Sequence, residues 1–173
     1  MNVSEYIFNF LKNKTDVVFL VTGGQAMYLD DALLKSGIRY ICVHHEQAGS
    51  MAADAYSRLS GKLGVVLVTA GPGCANVLNG VIGAYQDSSP IMVISGQSNL
   101  EFVNYMKKTG IRQHGIQGIL IEPIVKSFVK YFKTIDKPKK IKQIMPEAYK
   151  QAMTDRKGPT WIDVPLDIQN ANI

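Results

Sequence analysis

The chain has 173 residues and a mass of 19.1 kDa; 46% of its residues are hydrophobic and 19% charged, which suits one folded globular domain with its own core and excludes a disordered or fibrous protein. No apolar run approaches the ~20 residues of a membrane span, the start Met1-Asn2-Val3-Ser4-Glu5 lacks an export signal, and two cysteines, Cys42 and Cys74, make no disulfide scaffold, so a reducing cytoplasm is expected. The net charge of +5 does not mark a nucleic-acid binder: residues 1–125 balance nine bases against nine acids, and the excess lies in 126–173, mostly as Lys126, Lys130, Lys133, Lys137, Lys139, Lys140 and Lys142.

That lysine series reads as a solvated surface, with a phosphate patch or a contact to a partner domain as alternatives; no nucleic-acid or membrane partner is expected. In chain order, a first helix is followed by a strand at Val17–Thr22 and the turn Gly23-Gly24-Gln25. A helix and a second strand, Tyr40–Val43, lead to His44-His45-Glu46-Gln47. Next comes a helix on which Ala48, Met51, Ala52, Ala55 and Leu59 form one narrow apolar stripe, ended by Gly61. A third strand, Gly64–Thr69, runs into Gly71-Pro72-Gly73-Cys74-Ala75-Asn76 and a helix from Gly73 toward Gln86. The small Gly80, Gly83 and Ala84 of that helix imply close approach of another helix or a neighbouring subunit, since each glycine costs about 1 kcal/mol of helix propensity. Strands at Ile91–Ser95, Phe128–Phe132 and Thr160–Val164 and a helix over Ile141–Asp155 complete the pattern.

Alternating β and α segments with continuous apolar strands such as Val-Val-Leu-Val predict a single α/β domain, a doubly wound parallel sheet of about six strands with helices on both faces. Such sheets bind ligands outside the carboxyl ends of their strands. Glu46 follows a strand there and precedes a small-residue helix, so it is expected to be largely buried. A buried carboxyl favours sharing a proton and is suited to exchange with a heterocyclic nitrogen; the alternative is a first-turn acid satisfied by backbone N–H groups. Gly23-Gly24 after the first strand is similar to a dinucleotide-binding turn, but Gly-x-Gly-x-x-Gly is absent. Adjacent His44 and His45 point to opposite faces and cannot readily chelate one metal with Glu46, so no metal site is expected. His114, in a glycine-bearing loop, is either a pocket residue or a solvated one.

Taken together, these stretches resemble the N-terminal, pyrimidine-binding domain of thiamine-diphosphate enzymes of the acetolactate synthase and pyruvate oxidase group. The resemblance rests on Gly23-Gly24, His45-Glu46-Gln47-Ala48, Ala55-Tyr56-Ser57-Arg58, Gly71-Pro72-Gly73 with Asn76, Asp87-Ser88-Ser89-Pro90, Ile94-Ser95-Gly96-Gln97, Gly158-Pro159 and Ile162-Asp163-Val164-Pro165, in order over nearly the whole chain, 1–173. Thr22–Met27 and Arg112-Gln113-His114-Gly115 look most like acetolactate-synthase-like members of surface-sugar pathways.

The resemblance implies that Glu46 hydrogen-bonds N1′ of the cofactor aminopyrimidine and acts as the catalytic acid–base. It places Pro72, Gly73 and Asn76 at the cofactor and Gly24, Gln25, His45, Gln113 and His114 around the substrate. It also implies decarboxylation and acyl transfer from a 2-keto acid such as pyruvate, and a homodimer or homotetramer across which Gly80, Gly83 and Ala84 pack. The family carries the diphosphate and its Mg2+ on a separate domain with a Gly-Asp-Gly motif, which this sequence lacks. The chain is therefore expected to hold half a thiamine diphosphate site, as a piece of a longer enzyme or the α subunit of a two-gene decarboxylase, and to be inactive by itself. A non-catalytic regulatory or dinucleotide-binding domain is the alternative.

Overall fold

Each β-branched run becomes a strand of one six-stranded sheet in which every pairing is parallel. The computed structural model describes all residues, Met1–Ile173. The strands are β1 (Val17–Leu20), β2 (Arg39–Cys42), β3 (Gly64–Val68), β4 (Ile91–Gln97), β5 (Tyr131–Thr134) and β6 (Thr160–Pro165), in the spatial order β2-β1-β3-β4-β6-β5. The helices are α1 (Val3–Leu11), α2 (Met27–Ser36), α3 (Glu46–Ser60), α4 (Pro72–Asn76), α5 (Leu78–Gln86), α6 (Leu100–Thr109), α7 (Glu122–Val125), α8 (Ile141–Met153) and α9 (Leu166–Gln169). This is the doubly wound α/β fold expected from the pattern, and no helix is long and apolar enough to cross a membrane.

Successive side chains of a strand point to opposite faces, so a continuous apolar run serves two cores at once. Val18 and Leu20, Val65 and Leu67, Met92 and Ile94, and Ile162 and Val164 join α1, α2 and α8 on one face. Val17 and Phe19, Val66 and Val68, Ile91 and Val93, and Trp161 join α3, α4, α5 and α7 on the other. The edge strand β2 is the exception, with all four residues exposed.

Two elements differ from the sequence expectation. β5 starts at Tyr131, because Phe128 still closes a turn onto the Val125 carbonyl and the approach to β6 begins only with the Lys130 N–H to Pro159 O contact. The helix expected over Gly73–Gln86 is two helices meeting at Val77: α4 is seated on β3 through Cys74, whose Sγ donates to Thr69 O, whereas α5 packs on α3.

The apolar stripe of α3 is not the core face. Gly49, Ser50, Ala53, Asp54 and Ser57 are buried, while Ala48, Met51, Ala55 and Leu59 face outward, Leu59 at 89% exposure. Close approach decides this. A Cβ on Gly64 would collide with Ala53 O, and one on Gly80 would collide with Ser50 Oγ. Only a small-residue face fits against β3 and α5.

Gly80 and the fully buried Ala84 thus serve packing within the chain, and only Gly83 meets open space, which corrects the expectation that all three pack across a dimer. The two glycines should respond oppositely to alanine. Gly80→Ala is expected to lower stability by about 1–3 kcal/mol through overpacking, and Gly83→Ala to raise it by about 0.5–1 kcal/mol through helix propensity. Chemical denaturation of both variants measures the difference.

Candidate functional site

The carboxyl ends of β1, β3 and β4 are drawn together by missing side chains. A Cβ on Gly23 would lie 2.5 Å from Thr69 Cβ, and one on Gly96 would strike the Gln25 carbonyl. That carbonyl accepts from Gln169 Nε2 at 2.7 Å, tying the turn after β1 to α9. The Gly23 N–H donates to Asp30 Oδ2 at 3.4 Å, while Asp30 Oδ1 has no partner. Burial pushes the Asp30 carboxyl up to about 6, against the opposing effect of that backbone bond.

After β3 the backbone turns through Gly71 at φ +63°, a left-handed conformation that glycine adopts without strain, and Pro72 opens α4. The carbonyl of Gln117 packs directly on Gly71. The Cys74 thiol is fully buried and pushed far up by desolvation, which makes it an inert packing group.

Glu46 is the first residue of α3. The helix is capped by His45, whose Nδ1 accepts from the Gln47 N–H at 3.2 Å, so the Glu46 carboxylate is not the cap. Its Oε2 instead accepts from Asn76 Nδ2 at 2.8 Å, a bond joining the ends of β2 and β3. Its Oε1 accepts no hydrogen bond within the chain and lies 3.4 Å from the position a Cβ would take on Gly73. Thr69, whose side chain packs on the same Gly73 position, has its Oγ1 buried without a partner. Glu46 is partly buried, covered on the side of Asn76 and Gly73 and beside the exposed edge strand β2.

The structure therefore brings Glu46, Asn76 and Gly73 together, with Pro72 exposed beside them. The remaining candidates are placed differently. Gly24 is open to solvent, and Gln25 is only 8% exposed, its carbonyl taken up by Gln169. His44 and His45 are exposed. Gln113 is exposed and donates to Gly115 O at 3.2 Å. His114 sits edge-on to Phe102 and close to Tyr105, with ring centroids 4.5 and 4.9 Å away, so it is neither a free pocket residue nor a solvated one.

Residue-by-residue reading missed a buried polar network. Asp163 Oδ1 accepts from Ser95 Oγ at 2.8 Å; its Oδ2 accepts from Gln97 Nε2 at 3.3 Å and Thr134 Oγ1 at 3.2 Å. Burial pushes this carboxyl up to about 6, and the three donors hold it down in part. The available signal was one acid inside the otherwise apolar Trp161-Ile162-Asp163-Val164.

Glu46 and Asn76 do not stand in a closed cavity. A cavity of about 570 Å³ lies instead beside β5 and α8, lined by Lys107, Lys133 and Lys140 and by Glu122, Asp136 and Glu147. What the site offers is a carboxylate packed against the buried Gly73, with one oxygen fixed by Asn76 and the other without a hydrogen-bond partner in the chain.

One family model and three relatives bear on this geometry. The family model described as "Thiamine pyrophosphate enzyme, N-terminal TPP binding domain" matches residues 1–124. The probable acetolactate synthase large subunit of Methanococcus aeolicus is 36% identical, over 100% of this chain and 28% of the relative. The acetolactate synthase isozyme 2 large subunit of Escherichia coli is 32% identical, over 99% of this chain and 30% of its own length. The acetolactate synthase large subunit of Buchnera aphidicola subsp. Schizaphis graminum is 41% identical, over 87% of this chain and 25% of the relative. The chain spans less than a third of the length of these relatives.

Asp30 gives the region a pH signature. Its folded value, about 6, exceeds the ordinary 3.8, so the folded state binds this proton more tightly than the unfolded chain does. The stability it contributes is present at pH 4 and is lost as pH rises to about 6. Asp30→Asn should therefore gain stability relative to the parent protein as pH rises from 4 to 7, and the parallel contribution of Asp163 should remain in both. Urea unfolding across that range reads the difference.

Proposed function

The chain belongs to the thiamine pyrophosphate enzymes, as their N-terminal TPP-binding domain, and we propose that it supplies the pyrimidine half of a thiamine diphosphate site in an enzyme of acetolactate synthase type. The observation that carries this reading is the Glu46–Asn76 pair against Gly73. Asn76 occupies one carboxylate oxygen and so orients the other, Oε1, toward the bare backbone of Gly73. An oriented carboxylate can hold or give a proton at a ring nitrogen, N1′ of an aminopyrimidine, where a mobile one would first lose orientational entropy. Pro72 and Gly73 give that ring a wall without bulk, and Gly71 holds the wall in place. Thiamine diphosphate, when bound, supplies the electron sink for breaking the bond beside the carbonyl of a 2-keto acid such as pyruvate.

The cofactor's diphosphate and Mg2+ are assigned to a separate diphosphate-binding domain, contributed by another subunit of a homodimer or homotetramer. Two features support an assembled site. Glu46 is only partly buried by its own chain, and its Oε1 has no hydrogen-bond partner there. The outward face of α3 presents Ala48, Met51 (44% exposed), Ala55 and Leu59, an apolar stripe of the kind that marks a contact surface. His45 and Gln113 are assigned to the substrate side, Gln113 on a loop that rests on Gly71 through Gln117. The two free thiols, one exposed and one buried, suit a reducing cytoplasm.

A dinucleotide site fits less well. The Gly23 N–H, where a pyrophosphate would approach the start of α2, already donates to the Asp30 carboxylate.

In the assembled enzyme, Glu46→Gln should keep the fold and the bond to Asn76 yet lower turnover of the 2-keto acid by about 10²–10⁴-fold, the range of a lost general acid–base. Steady-state kinetics, with thermal unfolding as the control for folding, checks it; turnover close to that of the parent enzyme rules out the assigned role.

A further inference from the structure

The segment 111–120, which carries Gln113 and His114, is joined to the rest of the molecule by one hydrogen bond: Gln97 Nε2 donates to Ile119 O at 2.9 Å. Its other anchors are contacts. His114 packs on Phe102 and Tyr105, Gly115 and Gly118 fit against Ser98, and Gln117 O lies on Gly71. The direction of the Gln97 carboxamide therefore decides whether this one hydrogen bond, beside the packing of Ile119 on the core, is made.

That direction is set from inside the sheet. Trp161 Nε1 donates to Ser95 Oγ at 2.8 Å, so the single Ser95 hydroxyl hydrogen is left to point at Asp163 Oδ1. Asp163 Oδ2 can only accept, and it takes one Gln97 Nε2 hydrogen; the other goes to Ile119 O. Gln97 Oε1 accepts from the Ser98 N–H at 2.9 Å and from Ser98 Oγ at 3.3 Å. With every lone pair and hydrogen of the carboxamide spoken for, the amide cannot turn over without breaking bonds at both ends.

We propose that Asp163 is a positioning residue, which acts through Gln97 to hold the Gln113-bearing segment against the Gly71 turn. The assignment of Gln113 to the substrate side rests on the function proposed above; the tether itself does not. Asp163→Asn, of the same shape, isolates the effect. With the Ser95 hydrogen kept toward position 163, the new amide turns its oxygen to Ser95 and its NH2 to Gln97. Gln97 then meets NH2 with NH2, or turns over and sets its own oxygen against Ile119 O and its NH2 against the Ser98 N–H. The Ile119 bond is lost in the second case and unsupported in the first.

Trypsin cleavage after the exposed Arg112, in the full-length enzyme, reports the segment without relying on activity. Asp163→Asn and Gln97→Met should each raise the cleavage rate at Arg112 by about five-fold or more, the worth of one hydrogen bond of about 1 kcal/mol, and should lower kcat while leaving the KM for thiamine diphosphate unchanged. Thr134→Val removes one Asp163 bond but leaves Gln97 in place; it should reduce stability without faster cleavage at Arg112. Parent-like cleavage in a folded Asp163→Asn overturns the proposal, as does equal acceleration by Thr134→Val. If Asp163→Asn does not fold, parent-like cleavage in Gln97→Met overturns it instead. Faster cleavage in an enzyme that has no 2-keto acid turnover at all refutes the functional reading and upholds the tether.

Discussion

A parallel sheet covered on both faces leaves its strand ends as the place for polar chemistry, and the rest of this molecule follows from that constraint. Every inward position of β1, β3 and β4 up to their last turns is apolar, because it faces one of two cores. Unpaired polar groups there would cost several kcal/mol each. Glu46, Asn76, Thr69 and the glycine turns therefore gather where β1, β2 and β3 stop. Asp163 is the one carboxylate drawn below that edge, and it is held by three donors, two hydroxyls and an amide.

The second constraint is closeness. Gly64 against Ala53 O, Gly80 against Ser50 and Gly96 against Gln25 are contacts that any side chain would break. They bring α3 hard against β3 and α5, and so carry Glu46, at the head of α3, to within a hydrogen bond of Asn76 at the end of α4. The same closeness turns the larger apolar residues of α3 outward. Packing within the chain and the face left for a partner are thus two results of one choice of small residues.

The sheet was largely legible in the sequence, since continuous Val/Leu runs have few other uses, and the six strands fall within a few residues of expectation. The pairing of Glu46 with Asn76 was not legible from the residues alone. It joins positions thirty apart, the start of α3 and the end of α4, a distance that no local periodicity encodes. Amphipathicity alone does not give the packing face of α3, because the apolar stripe records which side is hydrophobic and not which is narrow. His114 was ambiguous for a like reason: its aromatic neighbours, Phe102 and Tyr105, lie on a helix that the strand pattern did not reveal. The Asp163 network combines both difficulties, because its members come from three strands and each alone resembles an ordinary strand polar residue.

The incompleteness of the Glu46 site has a physical sense within the proposed function. A free carboxylate oxygen on an open surface exchanges protons with water more readily than with a ring nitrogen, so the oriented Oε1 gains selectivity only when water is excluded. The residues beside Glu46 along α3, Ala48 and Met51, expose apolar surface that lowers free energy when covered. Assembly and activation then draw on the same surface. Within that proposal, burying the α3 stripe against a partner completes the drying of a carboxylate that the chain by itself only partly covers.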